Sequence, residues 1–126
     1  MREVSLSGLR GKFLRSRLRR VREEEALLKK YVRRITATFP KCAVLLFGSR
    51  AKGEHLPYSD YDLAVVLNEV KDKVSLIEIL RRLKPRGLPL DLIVIEKEEL
   101  SDPLIKKMLE GSKILYDRLN LSRLME

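Results

Sequence analysis

Tryptophan and glutamine are absent from this 126-residue chain, asparagine occurs twice, and cysteine and histidine once each. A single cysteine, Cys42, excludes an internal disulfide and a cysteine-built zinc site. At the start of an apolar strand it is expected to be a small buried hydrophobe rather than a nucleophile. The lone His55 has no second His or Cys nearby, so it is expected to be an exposed loop residue rather than a ligand or an acid–base group. No apolar stretch approaches the length of a membrane span, and the N-terminus lacks the apolar core of a signal peptide, which predicts a cytoplasmic protein with no membrane partner. Little Asn or Gln beside abundant Lys, Arg and Glu suits a thermophilic source. There is no internal repeat and no low-complexity segment.

What is present is a globular composition, 44% hydrophobic and 36% charged, which excludes intrinsic disorder and predicts one domain with a real core. Charge is unevenly placed. Residues 1–34 hold twelve Lys/Arg against four Glu, a net of +8, leaving +1 of the total +9 for the remaining residues. The run RGKFLRSRLRRVR can contact RNA or DNA phosphates, an acidic partner protein, or water alone. Only Phe13 precedes Tyr31 among aromatics, so no base-stacking platform is expected.

Periodicity places the elements. Leu14, Leu18, Val21, Leu28, Val32, Ile35 and Phe39 follow steps of four and three, broken at Glu25, and predict a basic amphipathic helix over 13–39 that ends before Pro40. Gly8 and Gly11 mark residues 1–12 as a flexible basic tail. Residues 42–47 and 61–67 read as strands, Val74, Ile77, Leu80 and Leu83 as a helix stopped by Pro85, and 89–95 as a third strand. Asp102 and Pro103 start a further helix that ends near Gly111, with a short edge strand at 113–116 and a tail over 119–126. Helix and strand alternate, which predicts a small α/β domain over 40–118 with a mixed sheet, helices packed on one face and the acids on an open face.

The chemistry is concentrated in AVLLFGSRAKGEHLPYSDYDLAVVL. Asp60 and Asp62 sit at i and i+2 at the start of a strand, so they project to one face. Two carboxylates that close raise each other's pKa unless a cation lies between them, and hard oxygen ligands favour Mg²⁺ or Mn²⁺. Asp91 is the only charged residue in the apolar run 88–95, and a buried carboxylate needs a partner or a metal. If its strand lies beside that of Asp62, three carboxylates meet, which suits two divalent ions and an in-line phosphoryl displacement. Gly48 and Ser49 can bring backbone and hydroxyl against phosphate oxygens, and Arg50 and Lys52 add charge that can neutralise a triphosphate. Arg50 and Lys52 can equally be solvated loop charge. Ser59 is expected to organise the loop, and Tyr58 either stacks on a base or packs the loop down.

The pattern Gly48-Ser49, ten residues, Asp60-x-Asp62, with Asp91 as third acid, resembles the minimal nucleotidyltransferases of the DNA polymerase β-like superfamily, including the MNT antitoxins encoded beside HEPN-domain toxins. The likeness covers about residues 35–117 and includes the closing segment GSKILYD. It implies that Gly48 and Ser49 hold the triphosphate, that Asp60 and Asp62 bind two Mg²⁺ ions (Mn²⁺ as the substitute), and that Asp91 completes the metal site and helps activate the acceptor hydroxyl. Lys52 stands where many relatives have arginine. The implied function is transfer of AMP from ATP to a tyrosine of a HEPN toxin. Larger relatives add a helical domain to choose the acceptor, and with no room for one after residue 126 the acceptor is expected on another molecule or subunit, so homo-oligomerisation stays open. An RNA end or small-molecule hydroxyl as acceptor, with nucleic acid held by the basic arm, and a binding-only antitoxin are the alternatives.

Overall fold

The computed structural model describes residues 2–53 and 59–124, with side chains over 15–53 and 59–122. The elements run α1 (Arg2–Thr38), β1 (Cys42–Phe47), α2 (Gly48–Lys52), β2 (Tyr61–Leu67), α3 (Lys73–Leu83), β3 (Leu90–Glu96), a 3₁₀ turn (Lys97–Ser101), α4 (Pro103–Met108), β4 (Lys113–Asp117) and α5 (Leu121–Leu124). The helix expected over 13–39 thus starts at Arg2, and the stretch read as a tail is helical. Two interior glycines, each about 1 kcal/mol worse than alanine, are too small a penalty to end so long a helix. His55 and Tyr58 lie outside the described residues. No helix among the described residues is long and apolar enough to cross a membrane.

The sheet order is β3-β2-β1-β4, with β1 antiparallel to both neighbours and β2 parallel to β3. A parallel pair needs a crossover, and α3 supplies it. Asp72 caps α3, its carboxylate accepting from the backbone N–H of Val74 and Ser75 and from the Ser75 hydroxyl; Ser and Asp at such a position relieve the unpaired donors of the first turn.

Alternation along the strands builds two cores. Cys42, Val44 and Leu46 of β1, Tyr61, Leu63 and Val65 of β2, and Val94 of β3 face α1 and α3, which contribute Leu28, Tyr31, Ile35 and Leu80. The Tyr31 hydroxyl donates to the Leu80 carbonyl at 2.6 Å and Arg34 to the Leu83 carbonyl at 3.0 Å, so α1 closes the C-terminal end of α3. Cys42 is fully buried, and burial pushes its thiol up to about 11, as befits a packing residue.

Ala43, Leu45, Ala64, Val66 and Ile95 face the other way, under Leu100 of the 3₁₀ turn, Leu109 after α4, and Leu119 and Leu121. The two long helices therefore share one face as the alternation predicts, while short elements cover part of the other. The segment read as a C-terminal tail is folded as far as Leu124. Its anchor is Asp117, whose carboxylate accepts from the backbone N–H of Leu119, Leu121 and Ser122. Burial pushes that carboxyl upward, but these donors together with Asn120 hold it below the usual range.

Because Leu121 has no exposed surface, Leu121→Ala should lower the unfolding free energy by about 2–5 kcal/mol in urea titrations. A loss below about 0.5 kcal/mol, typical of a surface site, would show that α5 is not docked in solution.

Candidate active site

Asp60 ends the loop before β2, Asp62 is the second residue of β2, and Asp91 is the second residue of β3. The parallel register pairs Asp62 directly with Asp91, and the antiparallel register pairs Asp62 with Phe47 at the end of β1. All three acids share strand parity with Ala64, Val66 and Ile95, so they stand at the margin of the second core, on the face away from α1 and α3. Asp62 is half-buried; Asp60 and Asp91 are exposed. Burial first, then the charges of Asp91 and Asp60, raise the Asp62 carboxyl above its ordinary value. Among the described residues no three acidic, His or Cys side chains are gathered closely enough to hold a metal ion as they stand. The three carboxylates line an edge and repel across it.

Gly48 is built into this edge. Its φ of +75° lies in the left-handed region, and a Cβ there would come within 2.2 Å of Asp62 Oδ2. Only glycine fits, for space and for backbone strain together. Sequence reasoning reserved that space for a phosphate; the structure shows that the carboxylate of Asp62 occupies its near side. Among the described residues the donor set is the oxygens of three acids, the chemistry that holds a hard divalent ion, and the repulsion recorded in Asp62 is what such an ion would relieve. Ser49 is half-buried at the start of α2. Lys52 is exposed, its stem lying over Gly111 at the turn into β4.

Arg50 is placed differently from the expectation that it neutralises a triphosphate or is solvated. It is 7% exposed. Its Nη2 pairs with Glu24 Oε2 at 3.3 Å, its Nε and Nη2 donate to the Ser59 carbonyl at 2.9 and 2.7 Å, and its guanidinium lies 4.2 Å from the centroid of the Tyr61 ring. Glu24, Ser59 and Tyr61 were not singled out for this role. The break expected in the α1 apolar stripe at Glu25 falls on an exposed residue, whereas Glu24, four and seven residues before Leu28 and Tyr31, is the buried acid.

Behind the strand ends lies a cavity of about 480 Å³ lined by Arg20, Glu24, Arg50, Lys84, Gly87, Leu88 and Pro89. A larger one, about 1020 Å³, sits among Leu100, Leu109 and Ile114 and holds none of the three acids. Size therefore does not mark the site; the carboxylates do.

Because its folded pKa is raised, ionised Asp62 opposes folding: stability is fully present at low pH and is lost as pH rises through the folded pKa. Asp62→Asn should accordingly be more stable than the parent in urea unfolding at neutral pH with EDTA, the difference vanishing in acid. A less stable variant at neutral pH would contradict the electrostatics described.

The model of the nucleotidyltransferase domain family matches residues 14–116. Two proteins of Methanocaldococcus jannaschii, each provisionally named a protein adenylyltransferase, are similar. One is 35% identical over 88 residues, covering 62% of this chain and 60% of the relative; the other is 31% identical over 97 residues, covering 73% and 93%. The chain thus spans 60% of the length of the first of these relatives. Among solved structures, a provisionally named nucleotidyltransferase from Sulfolobus solfataricus superposes with a TM-score of 0.64 at 26% identity, over 83% of this chain and 90% of that one. A toxin–antitoxin complex with AMP-PNP gives 0.58 at 22% identity, over 77% and 78%, and shares the fold.

Proposed function

We propose a function from one premise: this chain belongs to the nucleotidyltransferase domain family. It transfers AMP from ATP, with Mg²⁺, to a hydroxyl of a partner, a tyrosine of a HEPN-domain toxin, and so acts as an antitoxin. The carrying observation is the register that pairs Asp62 with Asp91, with Asp60 two residues away and Gly48 pressed against the Asp62 carboxylate. Support for the donor and the acceptor comes from the names of the two archaeal relatives, from the neighbour solved with an ATP analogue, and from a neighbouring toxin–antitoxin structure made with a tyrosine-to-alanine variant, at TM-score 0.56.

The acceptor hydroxyl oxygen attacks the α-phosphorus, a new P–O bond forms, the bond to the bridging oxygen of the β-phosphate breaks, and pyrophosphate departs. Asp91, exposed at the edge, takes the hydroxyl proton in this reading. Ser49 and the backbone at the start of α2 bind the terminal phosphates, with Lys52 contributing positive charge from the same helix. Divalent ions held by Asp60, Asp62 and Asp91 supply neutralisation of charge on the triphosphate and the leaving group when bound. Every other element of the step is positioning.

One observation favours a second acceptor class. Arg15, Arg17, Arg19, Arg20 and Arg22 are exposed along a single stretch of α1, a distribution that suits a phosphate backbone and an RNA end. Binding through it would weaken steeply with salt.

Label from [α-³²P]ATP and Mg²⁺ is expected on the candidate toxin, and Asp60→Ala, Asp62→Ala or Asp91→Ala should each reduce it by about 100-fold or more. Label on RNA instead would move the assignment to an RNA-modifying transferase. Tight toxin binding by parent and variants with transfer to neither acceptor would leave neutralisation by occlusion as the function.

A further inference from the structure

Burying an ion pair removes two charges from water, and an apolar pair of similar shape usually stabilises a fold as well or better. The pair Arg50–Glu24, with side chains 4% and 11% exposed, therefore calls for a use other than stability, and its contacts indicate one. Arg50 sends two donors to a single carbonyl, that of Ser59, and stacks on Tyr61. Ser59 and Tyr61 are the two residues flanking Asp60, and Tyr61 separates Asp60 from Asp62. The Tyr61 N–H in turn donates to the Pro89 carbonyl at 2.9 Å, two residues ahead of Asp91. A continuous line of contacts runs from Glu24 on α1 through Arg50 on α2 to the start of β2 and on to the start of β3.

We propose that Arg50 is the positioning residue of the carboxylate edge: its guanidinium holds the Ser59 carbonyl on one side of Asp60 and the Tyr61 ring on the other, and Glu24 holds that guanidinium in orientation from α1. The catalytic half of this proposal rests on the nucleotidyl-transfer function above. The geometric half does not, because the spacing of Asp60, Asp62 and Asp91 governs metal affinity whether or not transfer occurs. Lysine would keep the charge at position 50 but not the planar fork that reaches Ser59 and Glu24 together while stacking on Tyr61.

The test uses the full chain and two readouts, Mn²⁺ affinity by electron paramagnetic resonance and turnover with ATP at a temperature well below the melting point of every variant. Arg50→Ala should weaken Mn²⁺ binding about 10- to 100-fold and lower kcat by about as much, with little change in KM for ATP. Arg50→Lys should recover less than half of the loss on a logarithmic scale. Glu24→Gln, which still presents an oxygen to Arg50, should lose less than Arg50→Ala, and adding it to Arg50→Ala should cost nothing further in Mn²⁺ affinity, as expected of groups acting in series. If Arg50→Ala fails to fold with Glu24 left unpaired, the uncharged pair Arg50→Met with Glu24→Gln replaces it and should show the same Mn²⁺ defect. Parent-like Mn²⁺ affinity and kcat in a folded Arg50 variant, with only a lower melting temperature, would overturn the proposal and leave a purely structural pair. Asp62→Ala separates the two failures: if it too leaves Mn²⁺ affinity unchanged, the assignment of the carboxylates as a metal edge is what has failed.

Discussion

Parallel pairing of β2 with β3 is the constraint from which the site follows. Antiparallel neighbours can be joined by a hairpin, but two parallel strands need a crossover, and crossovers within one sheet are right-handed. With α3 as that crossover, Asp72 at its N-terminus and the Leu80 and Leu83 carbonyls near its C-terminus must find partners, and Tyr31 and Arg34 of α1 serve the latter. Both long helices are thereby committed to one face of the sheet. The same register sets Asp62 beside Asp91, on the other face, at its least covered end. Slipping β3 by one residue would turn Asp91 toward α3 and dissolve the constellation.

Much of this was legible because it depends on local pattern. Asp91 stands out as a charge within an apolar run, Asp60 and Asp62 by period-two spacing, and Gly48 as a glycine ending a strand. Strand and helix limits follow from the same periodicities, within a residue or two for β1, β2, β3 and β4. What was illegible depends on a partner distant in sequence. Arg50 and Glu24 look like two surface charges among forty-five, and no local signal ties residues 26 positions apart. Likewise Asp117 lies just past the edge strand expected at 113–116; that it gathers three backbone donors and folds α5 down depends on a turn conformation that includes Asn120 at φ 59°. Gly48 was identified for the right property, the freedom to bring backbone close, but which atom it approaches required the fold.

Electrostatics divides the site into two halves with opposite demands. On the sheet face, Asp62 is half-buried between two like charges, and its raised pKa records a cost that the fold carries in the absence of a cation. Behind the strand ends, the cation Arg50 is satisfied by Glu24 and by a backbone carbonyl. The charge of Arg50 is thus neutralised within the protein rather than turned toward the acids. This arrangement leaves the carboxylate edge net negative, which suits a metal better than a bare triphosphate. Under the proposed function it also separates binding of the ion, at the strand starts, from binding of the nucleotide, at α2.

The helix α1 then has two jobs that meet at Glu24. Downstream of it, Leu28, Tyr31 and Ile35 are core; upstream, residues 15–20 are exposed and strongly basic. Glu24 sits at the boundary, on the core face of the helix, and touches the residue that braces Asp60. A helix is stiff along its axis, so a molecule engaging the basic half acts on a rigid body that also carries Glu24 and its contact with Arg50. This contact is a physical route by which that surface and the carboxylates could be coupled, a requirement stricter than proximity alone. A ligand that binds the arm equally well with and without the Arg50–Glu24 pair is not coupled to the site through that pair, however tightly it binds.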